Sequence, residues 1–147
     1  MPTLIDTNIL LRAIQPAHPM HAVAVAAPQR LMAQAERLVI TVQNVAEFWN
    51  AATHPEKYNG LGLTTSEART ELARLEGYFQ ILTENQDTYM VWKTLLFQRG
   101  ISGVQVHDAR LVAVMKVHGI GRILTFNTAD FSRFPEIEAL HPNNLVS

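Results

Sequence analysis

The chain contains no cysteine, which removes disulfide frameworks, thiolate metal sites and cysteine nucleophiles together. It has no run of about 18 uncharged apolar residues, so no segment reads as a membrane span. Asp6 interrupts the one hydrophobic opening stretch that could pass for a signal peptide, and a cytoplasmic protein is the expectation. Charge of one sign is also missing: the formal net charge is −1 and the pI is near 6.6. Domains that hold nucleic acid by bulk positive potential usually have a pI above about 9. A nuclease whose bound cations supply the positive field locally escapes that argument. No HExxH, GxSxG or Walker A sequence occurs, so those zinc, serine-nucleophile and P-loop chemistries drop out. His18 and His21 beside Pro19 lack a ligand set and read as loop residues, and Asn59-Gly60-Leu61-Gly62 reads as a turn. There is no internal repeat or low-complexity tract, and 147 residues fit a single domain over residues 1–147 with its own core.

What is present begins with Thr3 to Leu11, TLIDTNILL, where a carboxylate sits inside a strongly apolar segment. An unpaired charge there is costly. Leu4-Ile5 reads as a short buried strand, Asp6-Thr7-Asn8 as capping residues, and Ile9, Leu10 and Ala13 as a helical stripe. Asp6 therefore stands at the C-terminal end of a strand. His21 to Ala35 reads as an Ala-rich helix that Pro28 should break or restart. The run Leu38 to Val42 fits a strand buried on both faces, after which Asn44 should cap a helix whose core face is Val45, Phe48, Trp49 and Ala52.

Residues 54–63, HPEKYNGLGL, carry the densest loop signal, and Thr64 to Glu67 forms a capping box ahead of Ala68, Leu72 and Leu75. Together they suggest a helical arm over residues 54–78. Phe79 to Leu82 suggests a strand, Thr83 to Gln86 a further capping box, and Val91, Trp92, Leu95 and Leu96 a helix ending near Gly100. His107 to His118 is the clearest helix, Arg122 to Thr125 a strand, and Ala139-Leu140 an edge strand. Strands alternating with helices imply an α/β fold, a three-layer α/β/α sandwich around a mainly parallel sheet of four to five short strands. In such sheets ligands bind at the carboxyl ends of the strands.

Several oxygen-bearing side chains converge on that edge. Asp6 follows the first strand, and Asn127 follows the Arg122–Thr125 strand with Asp130 three residues further on. Singly, Asp6 could serve only as a cap and Asn127 only as a turn residue. Asp108 heads an apolar stripe with Leu111, Val112 and Met115, which points it inward, although a carboxylate in a first turn also suits the helix dipole. Glu47 lies opposite Phe48 and Trp49, and its pattern alone favours a capping box running from Asn44 to Glu47. Carboxylates gathered at one edge repel by a few kcal/mol per pair, and a divalent cation reverses that sign. Mg²⁺ and Mn²⁺ prefer oxygen ligands and retain waters, which suits scattered Asp, Glu and Asn without a Cys or His pair.

With these residues in view, the chain resembles the PIN-domain nucleases, and within them the VapC-type toxins of toxin–antitoxin systems. The resemblance rests on LIDTNILL from Leu4, NVAEFWNAA from Asn44, VHDARLVAVM from Val106 and ILTFNTADFSRFPEI from Ile123, which span nearly the whole chain. HPEKYNGLGLT resembles the connecting loop of one VapC-like branch. The resemblance implies that Asp6, Glu47 and Asp108 are the three principal acidic positions, and Glu47 is singled out on this ground alone. It matches Asn127 to the fourth acidic position, with Asp130 as the nearby alternative; a neutral Asn there would weaken a second metal site. Thr7, Asn8 and Thr125 would orient ligands or water, and Arg12, Arg110 and Arg133 are candidates for phosphate contacts.

The implied activity is Mg²⁺- or Mn²⁺-dependent hydrolysis of RNA phosphodiesters by metal-activated water. The implied partners are an RNA substrate, a cognate antitoxin protein and a second copy of the chain in a homodimer. Two other readings stand beside it. A haloacid-dehalogenase-like phosphatase also opens with a hydrophobic strand and Asp-x-Asp, but its second acid is Asn8 here. A PIN-like binding module that has lost activity at Asn127 is the other.

Overall fold

The structure, a computed structural model, describes residues 2–146. Its centre is a five-stranded sheet of β1 (Thr3–Ile5), β2 (Leu38–Thr41), β3 (Gln80–Leu82), β4 (Arg122–Leu124) and β5 (Glu138–Leu140). The strands run in the order β3-β2-β1-β4-β5 and every pairing is parallel. Leu4 registers with Val39 on one side and Ile123 on the other.

Because side chains alternate along a strand, this register sorts the core into two layers. Leu4, Val39, Leu82 and Ile123 face α5 (Gln86–Arg99) and α6 (Gln105–His118), where Leu95, Leu111, Val112 and Met115 meet them. Ile5, Leu38, Ile40 and Leu124 face the other way. They pack with α1 (Thr7–Arg12), α2 (His21–Ala33), α3 (Val42–Thr53) and α4 (Thr65–Tyr78) through Ile9, Leu10, Ala27, Leu31, Phe48, Ala52 and Leu75. The result is the expected three-layer sandwich. β1 and β2 are buried throughout, which is why they read as unbroken apolar runs. Among the described residues no helix is long and apolar enough to cross a membrane.

Five local expectations need correction. Pro28 neither breaks nor restarts α2, which continues from His21 to Ala33 around it. The Ala-rich turns on both sides and the buried Ala24, Ala27 and Leu31 outweigh the cost of about 3 kcal/mol for an interior proline. β2 ends at Thr41, and Thr41 rather than Asn44 caps α3, with Asn44 as the returning member of the capping box. The Asn44–Glu47 capping box is therefore absent. The box before α5 is Asn85 with Thr88, not Thr83 with Gln86.

The HPEKYNGLGL stretch folds back over the end of α3 around a 3₁₀ turn at Glu56–Tyr58. The amides of Leu61 and Leu63 donate to the carbonyls of Ala51 and Ala52, and that of Gly62 donates to His54. A β-carbon at Gly60 would lie 2.0 Å from the His54 carbonyl oxygen, so the turn closes only on glycine.

Candidate functional site

β1, β2 and β4 deliver their ends to one edge of the sheet, and the polar residues that follow them interlock. Asp6 leaves β1 with its amide donating to the Leu124 carbonyl at 3.0 Å, which extends the β1–β4 pairing one residue past the strand. It then caps α1, accepting the Thr7 amide at 2.8 Å on Oδ1. Its Oδ2 accepts the Thr125 hydroxyl at 2.7 Å. Thr125 in turn accepts the Asn8 side-chain amide at 3.2 Å and the Asn127 backbone amide at 3.0 Å. Asn8 Oδ1 accepts the Phe126 amide, so the start of α1 and the segment after β4 are tied in both directions.

Glu47 reaches the same edge from the second turn of α3. Thr7 donates its hydroxyl to Glu47 Oε1 at 2.8 Å, and Gln43 donates Nε2 to Glu47 Oε2 at 3.3 Å. Thr7 itself accepts the Asn44 side-chain amide at 3.0 Å, while Asn44 Oδ1 accepts both the amide and the hydroxyl of Thr41 at 2.9 Å. Gln43 Nε2 also donates to the His107 carbonyl at 3.0 Å, which joins α3 to the first turn of α6. Asp108 follows directly in that turn, partly buried.

The electrostatics of this edge are unbalanced. Burial pushes the Asp6 carboxyl up to about 6 despite its bonds from Thr125 and Thr7, with Glu47 and Asp130 adding to the rise. Burial also pushes Asp108 up to about 6, followed by the charges of Asp130, Asp6 and Glu47. Four carboxylates thus act on one another. Among the described residues no Lys, Arg or His forms an ion pair with Asp6, Glu47, Asp108 or Asp130.

The other candidates divide. Asn127 is exposed and enters the network through its backbone amide, whereas Asp130, also exposed, reaches both raised carboxyls through its charge. Arg12 donates to Gln15. Arg110 forks onto Glu84 at 2.6–3.1 Å and lies 5.7 Å over the Trp92 ring, on the rim of a cleft of about 320 Å³ that also borders Gln43, Glu47, Asn50 and His107. Arg133 is exposed. The sequence reading missed Gln43 altogether and gave Asn44 the wrong duty. Both are buried polar residues directly after a buried strand, and that was the one available signal.

Among the described residues, no three His, Asp or Glu side chains stand arranged around a point that would hold a metal ion. The donor chemistry nevertheless fits a hard divalent cation. The donors are all oxygen, among the described residues they form no ion pair, the one cation whose charge reaches them being Arg110 toward Glu47, and two of them are held near pKa 6 by burial and mutual repulsion.

The PIN domain family model matches residues 3–137. No curated protein matches the chain. Solved structures do: the VapBC2 complex of Rickettsia felis bound to a promoter DNA fragment superposes with a TM-score of 0.69 at 17% identity, over 96% of this chain and 98% of that one. A toxin–antitoxin complex of Klebsiella pneumoniae gives 0.63 at 24% identity, over 95% and 97%. A sarcin–ricin-loop-cleaving VapC toxin of Mycobacterium tuberculosis gives 0.55 at 18% identity, over 82% and 86%.

Proposed function

This chain belongs to the PIN domain family, and from that premise we propose that it is a metal-dependent endoribonuclease and the toxin of a toxin–antitoxin pair. The observation that carries the reading is the group of four carboxylates, Asp6, Glu47, Asp108 and Asp130, whose charges act on one another and which form no ion pair among the described residues. We assign Asp6, Glu47 and Asp108 as ligands of Mg²⁺ or Mn²⁺, with Asp130 and Asn127 as the fourth side. A divalent cation bound there would lower the pKa of water and stabilise charge on the phosphoryl oxygens.

The chain's own residues do the positioning. Thr125 and the Thr7 amide hold the two oxygens of Asp6 apart, and Thr7 and Gln43 do the same for Glu47. Asn8 fixes Thr125 as the donor to Asp6 by filling its acceptor side. Arg110, locked by Glu84, offers a fixed positive charge on the cleft rim, and Arg12, bonded to Gln15, and the exposed Arg133 are the other candidates for phosphate.

An antitoxin partner is supported by the toxin–antitoxin complexes among the similar structures and by an apolar groove of about 250 Å³ lined by Ile9, Ile14, Val25, Met32, Tyr78 and Phe79. A homodimer is supported by α5, which exposes Tyr89, Met90 and Phe97 on its outer face. We take residues 1–147 as one PIN domain whose 54–78 stretch shapes the choice of RNA, acting in the cytoplasm.

The test is cleavage of total RNA by purified protein with Mn²⁺ or Mg²⁺ against EDTA, with Asp6→Asn and Asp108→Asn proteins prepared identically. Metal-dependent cleavage lost in both variants supports the assignment. One observation favours a second reading, a PIN-like binding module without activity: the carboxylates do not already surround a common point. Equal behaviour of wild type and variants with every cation would select it.

A further inference from the structure

Gln43 is 6% exposed, and its side chain carries an anomaly. Its Nε2 donates to Glu47 Oε2 at 3.3 Å and to the His107 carbonyl at 3.0 Å, while its Oε1 is buried with no hydrogen-bond partner. Both neighbours of the nitrogen are acceptors, so turning the amide over would set oxygen against oxygen and lose both bonds. An orphaned buried acceptor is destabilising, and an apolar side chain of the same length would fill the space without it. The two bonds from Nε2 and the orphaned Oε1 act on stability in opposite directions, and the glutamine is distinguished by what its amide joins.

What the amide does is join the Glu47 carboxylate on α3 to the backbone of α6 at His107. Gln43 lies one turn before Glu47 on α3 and reaches the residue immediately before Asp108 on α6. A single nitrogen thereby holds one oxygen of Glu47 and the backbone that carries Asp108. Thr7 holds the other Glu47 oxygen, so without Gln43 that carboxylate keeps one anchor of two. The donor is also neutral. A lysine or arginine in its place would pair with Glu47 and bring a positive charge into the position proposed for a cation.

We infer that Gln43 is a positioning residue that sets Glu47 and the Asp108 turn for a divalent cation, at a cost to the stability of the cation-free fold. The inference rests on the metal-dependent reading above. Gln43→Met and Gln43→Leu remove the amide while keeping apolar bulk, and the His107 carbonyl remains within α6. Two quantities separate positioning from structure: the melting temperature without cation, and Mn²⁺ affinity by isothermal titration calorimetry.

The expected result is a variant that melts no lower than wild type without cation yet binds Mn²⁺ about tenfold more weakly, as losses of ligand-orienting bonds typically do. Its RNA cleavage falls in kcat with KM little changed, because the substrate's own contacts are intact. Either variant behaving so supports the inference. Wild-type Mn²⁺ affinity in a folded variant overturns it, and so does low melting of both variants, which would make the residue a structural one. Wild-type protein that binds no Mn²⁺ takes down the metal-dependent reading first, a failure visible before any variant is compared.

Discussion

The two ends of the same sheet handle charge in opposite ways. At the amino end, Glu36 accepts the Thr3 hydroxyl at 3.0 Å and pairs with Arg122 at 3.3 Å, and Arg122 also approaches Glu138 at 3.9 Å. At the carboxyl end, the charges of Asp6, Glu47, Asp108 and Asp130 act on one another, and hydroxyl and amide donors hold Asp6 and Glu47 with no ion pair among the described residues. At the amino end both carboxylates have Arg122 within ion-pair reach, so these charges serve the fold. The carboxyl end is held in shape by hydroxyl and amide donors without an ion pair among the described residues, and that is the ground on which a cation is proposed there.

Removing one acid should break this contrast most sharply. Asp108→Asn is expected to cut metal-dependent RNA cleavage by at least about a hundredfold, on the scale of losing one electrostatic contact to a transition state. The same change should raise the melting temperature of the cation-free protein, because it removes repulsion. A variant that loses activity and stability together would show that Asp108 is a structural residue.

The contrast also has a pH signature. The folded Asp6 carboxyl is raised to about 6 from 3.8, so between those values the native state binds more protons than the unfolded chain. This group's contribution to cation-free stability is therefore full below about pH 4, falls as pH rises through about 6 and is flat above, a loss on the order of 2–3 kcal/mol, while Glu67, Glu84 and Glu136, held below the usual carboxylate range, act in the opposite direction on the acid side. Asp108 contributes in the same direction as Asp6. Urea melts across this range in EDTA should show the fall, and saturating Mn²⁺ should reverse it as the cation binds the ionised form of the folded state.

Thr125→Val sharpens the comparison from within the acidic end. It deletes the donor to Asp6 Oδ2 while keeping the buried volume, so the Asp6 carboxyl rises further and the acid limb of the pH–rate profile moves to higher pH. Cleavage at neutral pH should fall about tenfold. The smallest effect belongs to the amino end, where Glu36→Gln should cost about 1 kcal/mol in urea melts, the pair being only partly buried, and leave RNA cleavage unchanged.

The two ends were unequally legible in the sequence. β1 and Asp6 could be read because an apolar run interrupted by Asp-Thr-Asn has few other uses, and Asp108 because it heads a stripe of core residues. Glu47 was hidden by local chemistry: Asn44 to Glu47 mimics a capping box, and only the start of α3 at Val42 moves Glu47 into the second turn. Its partners explain the rest, since the Thr7 bond spans forty residues of chain and the role of Gln43 needs α6 packed against α3. Asn127 and Asp130 were indistinguishable by spacing. In the fold the Asp130 charge acts on both raised carboxyls, while Asn127 joins the network through its backbone amide. The strand order was likewise invisible, being set by which pairings bury both faces of β1 and β2.

The most direct measurement of the central claim is the melting temperature of the wild-type protein at pH 7.5 as Mn²⁺ is titrated in, beside Asp6→Asn and Asp108→Asn. An uncompensated acidic end predicts a wild-type melting temperature that climbs with Mn²⁺ and variants that start higher and climb much less. Wild type and variants that respond alike, or do not respond at all, would contradict it.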